Sequence, residues 1–173
     1  MLFAQQVTTS SSRTCVRSSD TIKCWGAALF HGAHLGTLLQ NPKRLTFQDQ
    51  EIKYVRLSEK KICVITEDGS LYCWGDGIVG YGSEEKKFKP DPKPINFQGK
   101  KVNHVAFSPL VACAILEDGS LHCWGDRNLN GYNDGLSRLA PDSVPVDFRG
   151  KKVKQIAISF FDGCALLENR KVY

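Results

Sequence analysis

Two stretches decide how this chain folds: Cys63–Gly75, CVITEDGSLYCWG, and Cys113–Gly125, CAILEDGSLHCWG. They are one pattern written twice, 50 residues apart. A shorter version, CVRSSDTIKCWG, occupies Cys15–Gly26, and an interrupted one, CALLENRKVY, runs from Cys164 to Tyr173. The tryptophans Trp25, Trp74 and Trp124 and the leading cysteines Cys15, Cys63, Cys113 and Cys164 therefore recur at a period of about 50. Further columns keep the same spacing: Val7, Val55, Val105 and Ile156; Ile52, Val102 and Val153; Phe47, Phe97 and Phe148. A fixed period of this size marks a repeat architecture in which each unit is one supersecondary element.

Within a unit the pattern is that of short strands. In the third copy four apolar or alternating segments, Pro94–Phe97, Val102–Ser108, Val111–Leu116 and Ser120–Gly125, are separated by Gln-Gly-Lys and Glu-Asp-Gly turns. Short strands with turn signals between them read as all-β, and four strands per 50-residue unit read as propeller blades. The expected fold is a partial β-propeller, one repeat region over residues 1–173. Its copies span 1–40, 41–90, 91–140 and an incomplete 141–173, as part of a longer propeller.

The cysteines fit this frame. A hairpin folded at Glu67-Asp68-Gly69 sets Cys63 opposite Cys73, one folded at Asp118 sets Cys113 opposite Cys123, and a shorter turn pairs Cys15 with Cys24. Directly opposed residues in an antiparallel pair lie within disulfide range. The alternative is that these are buried thiols acting as small hydrophobes. Zinc is disfavoured because no C-x2-C knuckle occurs. Cys164 is left unpaired, since its partner's place falls just past Tyr173, and the chain is expected to continue there into Cys-Trp-Gly. Disulfides imply an oxidising compartment, which favours an extracellular or cell-surface location. The N-terminal MLFAQQVTTS is no recognisable signal peptide. A cytoplasmic location is the alternative.

Val102–Ser108, Ala112–Gly125 and Gly131–Gly135 resemble the strand, hairpin and Gly-rich segments of the regulator of chromosome condensation repeat family. The likeness is to the subset in which both hairpin strands carry cysteine. It implies a seven-bladed β-propeller with the Val102–Ser108-type strands nearest the central channel. The Gly-rich segment is degenerate at Gly32–Gly36 and Gly80–Gly82. Members of the family include a nucleotide-exchange factor for a small nuclear GTPase and a β-lactamase-inhibiting protein, so the resemblance implies a scaffold that presents loops to partners. No exchange-factor residue carries over.

Composition narrows the function classes. The 173 residues are 42% hydrophobic with a net charge of +5, too weak a bias for a dedicated nucleic-acid binder. The longest apolar run, Leu110–Leu116, is far too short to span a bilayer. The lysines cluster at Lys60-Lys61, Lys86–Lys101 and Lys151–Lys154, read as a solvated surface, with polyanion contact as the alternative. No nucleophile elbow or P-loop is present. His31 and His34 share a loop, while His104 and His122 fall in strands where other copies carry Tyr54 and Tyr72. The run Asp126-Arg127-Asn128-Leu129-Asn130-Gly131 places oxygens at positions 1, 3 and 5 like a calcium loop, but Ser137 stands where the bidentate Glu belongs. A plain Asn/Asp/Gly turn is the competing reading of Asp126, Asn128 and Asn130. Tyr81, Phe88, Arg127 and Tyr132 sit in the loops after Cys-Trp-Gly and are the candidate binding residues, the alternative for the aromatics being that they fold back and pack between blades.

The functional expectation is a non-enzymatic scaffold that binds a protein partner. No cofactor, small-molecule substrate or nucleic acid is expected. The alternatives are an exchange or chromatin-associated propeller acting on a small GTPase, and a purely structural segment of a larger protein.

Overall fold

A computed structural model describes residues 6–17, 21–27, 38–46, 50–58, 61–76, 78–82 and 93–173. Phe88, His31 and His34 lie outside the described residues. Every regular element among the described residues is a strand. The first sheet has order β1-β2-β3-β4, made of Gln6–Thr9, Arg13–Arg17, Thr21–Ala27 and Leu38–Thr46. The second contains β5 (Ile52–Leu57), β6 (Lys61–Thr66) and β7 (Leu71–Gly75). The third contains β8 (Val102–Phe107), β9 (Val111–Leu116) and β10 (Leu121–Gly125). The fourth pairs β11 (Val153–Ile158) with β12 (Gly163–Leu167). All pairings are antiparallel.

The chain divides into two compact units. Unit 1 is Met1–Asp76 with Lys86–Pro94, and unit 2 is Gly77–Glu85 with Ile95–Tyr173.

The Glu-Asp-Gly stretches form the hairpins. The Thr66 N–H donates to the Ser70 carbonyl at 3.0 Å and the Gly69 N–H to the Thr66 carbonyl at 2.9 Å. This is a three-residue loop whose last residue, Gly69, has φ +86°, the left-handed conformation such loops require. Asp68 fastens the turn by accepting the Ser70 N–H at 3.1 Å and the Thr66 hydroxyl at 2.6 Å. Asp118 and Gly119 repeat the arrangement, with Gly119 at φ +82°.

The turn fixes register. Cys63 faces Cys73, Cys113 faces Cys123, and Cys15 faces Cys24. Leu116 and Ser120 share a ladder hydrogen bond, so alternation along the hairpin makes Cys113 and Cys123 a non-hydrogen-bonded pair, where the strands approach closely. All three pairs are disulfide-bonded, with Cα atoms 4.0 to 4.2 Å apart. Cys164 is a free, exposed cysteine.

The hairpin strands of the second and third sheets are buried along their whole length. That explains why they read as continuous apolar runs rather than as alternating ones. Each unit has its own core. In unit 1, Cys15, Ile22 and Cys24 pack with Ile52, Val55, Ile62, Val64 and Trp74. In unit 2, Ala106, Cys113, Ile115, Leu121 and Cys123 pack with Val153, Ile156, Ala165 and Leu167.

The fourth strand departs from expectation. Pro94–Phe97 is not a strand, and among the described residues only the first sheet has four. That sheet takes its outer strand, β4, from Leu38–Thr46, the segment just before Phe47. In the third sheet the outer strand shrinks to a bridge between Gly125 and Arg138 and a Val146 N–H bond to the Leu121 carbonyl. Pro145 beside Val146 has no N–H to give a longer ladder. Lys61 also departs from its reading as a solvated lysine: it is 1% exposed, inside β6. Among the described residues no helix is long and apolar enough to cross a membrane.

Candidate functional site: a braced loop after the third Cys-Trp-Gly

The segment from Asp126 to Asp147 is long, well tied down and entirely in unit 2. It begins with stacked Asx turns. The Asp126 carboxylate accepts the Asn128 N–H at 2.8 Å, and the Asp126 carbonyl accepts the N–H groups of Leu129 and Asn130. Asn130 is fully buried; its Oδ1 accepts the Tyr132 N–H at 3.2 Å and its Nδ2 donates to the Leu136 carbonyl at 2.7 Å. The side-chain oxygens of Asp126 and Asn130 thus turn toward backbone N–H groups, as in a plain Asn/Asp turn. Among the described residues no group of three or more His, Cys, Asp or Glu is arranged to hold a metal ion.

Arg138 is the hub of the loop. Its backbone exchanges both hydrogen bonds with Gly125, at 2.9 and 2.7 Å, and so extends the sheet by one residue. Its guanidinium forks to Asp134 at 2.6 Å and Asp142 at 3.0 Å, and lies over the Tyr132 ring, 3.8 Å from its centroid. These bonds hold both carboxyls below their ordinary range, Asp134 down to about 2. The stacked cation and the two-pronged ion pair are what an arginine fork supplies and a lysine does not.

Tyr132 is turned inward, the alternative to its reading as an exposed binding residue. It packs on the core of unit 2, and its hydroxyl donates to the Val144 carbonyl at 2.9 Å. Burial pushes its phenol pKa up. Tyr81 is half-buried, and the neighbouring Gly82 N–H reaches the Leu139 carbonyl at 3.1 Å, so the structure brings the Tyr81 segment onto this loop. Arg127 is exposed, with its backbone N–H bonded to the Ser137 hydroxyl at 3.2 Å.

Two residues that motif reading passed over are Leu136 and Val144, 61% and 63% exposed on this same loop. Both stand on a tied-down backbone, with Asp134, Arg138 and Asp142 close in sequence. No sequence signal singles them out, because Leu129, Leu139 and Val146 stand in the same stretch.

The loop's far end is tied to the hairpin turn. His122 is buried and its Nδ1 lies 2.9 Å from the Asp142 carbonyl. A carbonyl only accepts, so Nδ1 carries the proton. Nε2 lies 3.2 Å from the Ser120 hydroxyl, which in turn sits 2.5 Å from Asp118. Asp118 also takes Lys100 at 2.8 Å, and these bonds hold its carboxyl well below the usual range. The Ser120 hydroxyl donates to the nearer Asp118 carboxylate, and the arrangement braces the hairpin turn.

No protein-family model matches the sequence, and no curated protein matches it. Solved structures do. Human WBSCR16 superposes with a TM-score of 0.79 at 18% identity, over 94% of this chain and 44% of that one. Yeast RCC1 (Prp20), solved with Kap60 bound, gives 0.76 at 20% identity, over 97% of this chain and 40% of that one. Prp20p from Saccharomyces cerevisiae, in a structure described together with its binding properties to Gsp1p and histones, gives 0.64 at 18%, over 87% and 40%. The chain spans less than half the length of each of these proteins. Likenesses at such identities speak to architecture alone, and the architecture they show is that of a partial β-propeller.

Proposed function

We propose that this chain is a disulfide-braced member of the regulator of chromosome condensation repeat family, and that it works as a protein-binding scaffold without catalytic chemistry of its own. The observation that carries the proposal is the loop Asp126–Asp147, whose backbone is fixed by Arg138, Asn130 and Asp142 while Leu136, Val144 and Arg127 face outward. A surface ordered before its partner arrives loses little conformational entropy on binding. The partner is a protein with an apolar patch edged by carboxylates, which Leu136, Val144 and Arg127 match. The neighbour Prp20 was solved with a protein bound, which supports the same use of the fold here. The three disulfides support an oxidising compartment, outside the cell or at its surface.

The test is a photo-cross-linking side chain placed at Leu136 in protein returned to its native source. A discrete covalent adduct with another protein, lost when Val144→Asp is added, is the expected result. Adducts confined to the protein's own chain would overturn the proposal and favour a purely structural repeat. Accelerated release of labelled GDP from a small GTPase would instead establish the exchange-factor alternative.

A further inference from the structure

Two copies of one turn, in the third and fourth sheets, differ in charge. In the third sheet residues 97–101 and the hairpin turn 117–119 meet at one end. The Glu117 N–H donates to the Lys101 carbonyl at 3.0 Å, and the Lys100 ammonium binds the Asp118 carboxylate at 2.8 Å. Lys100 and Lys101 thus stand against Glu117 and Asp118, and the turn neutralises itself.

The fourth sheet builds the same frame without that balance. The Glu168 N–H donates to the Lys152 carbonyl at 3.0 Å and the Arg170 N–H to the Leu167 carbonyl at 3.0 Å, as Glu117 and Gly119 do in the third sheet. The Lys171 N–H donates to Asn169 Oδ1 at 3.1 Å, where Ser120 donates to Asp118. Asn169 therefore closes the turn as Asp118 does, and brings no charge to Lys151. Arg149 replaces Gln98, Arg170 replaces Gly119 and Lys171 replaces Ser120. Arg149, Lys151, Lys152, Arg170 and Lys171 are all exposed, and among the described residues none of them is in an ion pair. Arg170 holds φ +65°, a left-handed conformation that glycine carries without strain and arginine does not. The exposure of this end belongs to the repeat: Lys100, Lys101 and Glu117 are exposed in the third sheet, which has the fourth packed on it.

We infer that the turn end of the fourth sheet, with Arg149, Lys151, Lys152, Arg170 and Lys171, binds a sulfated polysaccharide. Unpaired cations opposed only by Asp147 and Glu168 attract a polyanion and release its condensed counterions. The choice of a polysaccharide over a nucleic acid rests on the oxidising compartment proposed above, which the three disulfides support. The site is separate from the loop proposed to bind a protein.

The test is titration of the full chain with a size-defined heparin oligosaccharide at physiological salt. Binding that weakens steadily with added salt is expected. Asn169→Asp combined with Arg170→Gly rewrites the turn as the balanced one of the third sheet. It should lower the affinity roughly tenfold or more, while the urea midpoint rises because glycine relieves the strained position. Lys100→Gln combined with Lys101→Gln removes the same amount of positive charge from the third-sheet turn, and should keep the affinity within about threefold. No binding by the parent, or equal losses from the two pairs of substitutions, would overturn the inference. Tighter binding to a DNA duplex than to heparin would overturn the choice of polysaccharide, and the state of the cysteines tests the compartment reading apart from it.

Discussion

Lys61 is the residue whose environment departs furthest from its chemistry. It lies buried in β6, and desolvation, partly offset by Asp76, lowers its pKa from 10.5 to about 8. An unfolded lysine holds its proton to higher pH, so between about 8 and 10.5 the unfolded state binds more protons and folding stability rises with pH. With Cys164 alkylated to prevent disulfide exchange, urea midpoints should climb across that window. The climb should vanish in Lys61→Met, which keeps the stem and removes the charge. The Arg138 cluster works with the opposite sign. Asp134 and Asp142 have depressed pKa values, so their contribution is complete above the ordinary carboxylate value and lost as pH falls below it, for Asp134 toward about 2. Thermal midpoints measured from neutral pH downward should fall in that acid range for the parent and less steeply for Arg138→Met. Neither residue's role was legible in the sequence. Lys61 stands in a Lys-Lys pair that looks solvated, and Arg138 acts through a fork whose prongs depend on the folded path of the loop.

At the scale of the element, the hairpins were legible and the loops were not. A Cys-x9-Cys spacing around Glu-Asp-Gly encodes local pairing, so register follows from neighbours in sequence. The outer strand depends on where the chain returns after a long excursion, which is why Pro94–Phe97 read as a strand and is none. The run from Asp126 carries the oxygens of an ion loop, and only the folded backbone shows those of Asp126 and Asn130 turned to N–H groups. The glycine ending each Cys-Trp-Gly has a steric cause: a Cβ on Gly125, at φ +126°, would stand 2.2 Å from the Leu110 carbonyl oxygen. Gly125→Ala should therefore cost about 2 kcal/mol or more in urea unfolding, well beyond a simple helix or strand propensity difference. The disulfides act on the unfolded chain. Replacing both Cys63 and Cys73 by Ala opens a loop of sequence separation 10 and should lower stability by about 2–3 kcal/mol in the same assay.

For the whole molecule, the period of 50 residues carried the fold, because a repeat specifies an architecture once its strands per unit are known. It could not specify which surface works. Tyr132, an aromatic on a loop, turned inward, while Leu136 and Val144, with no motif to announce them, face outward. The account rests on a propeller scaffold whose hairpins are covalently closed, and the thiol count tests that claim most directly. The full chain, unfolded in denaturant without reductant, alkylated and weighed by mass spectrometry, should take up one label, mapped by digestion to Cys164. Uptake at all seven cysteines would contradict the account: the hairpins would be open, and the loops without their covalent brace.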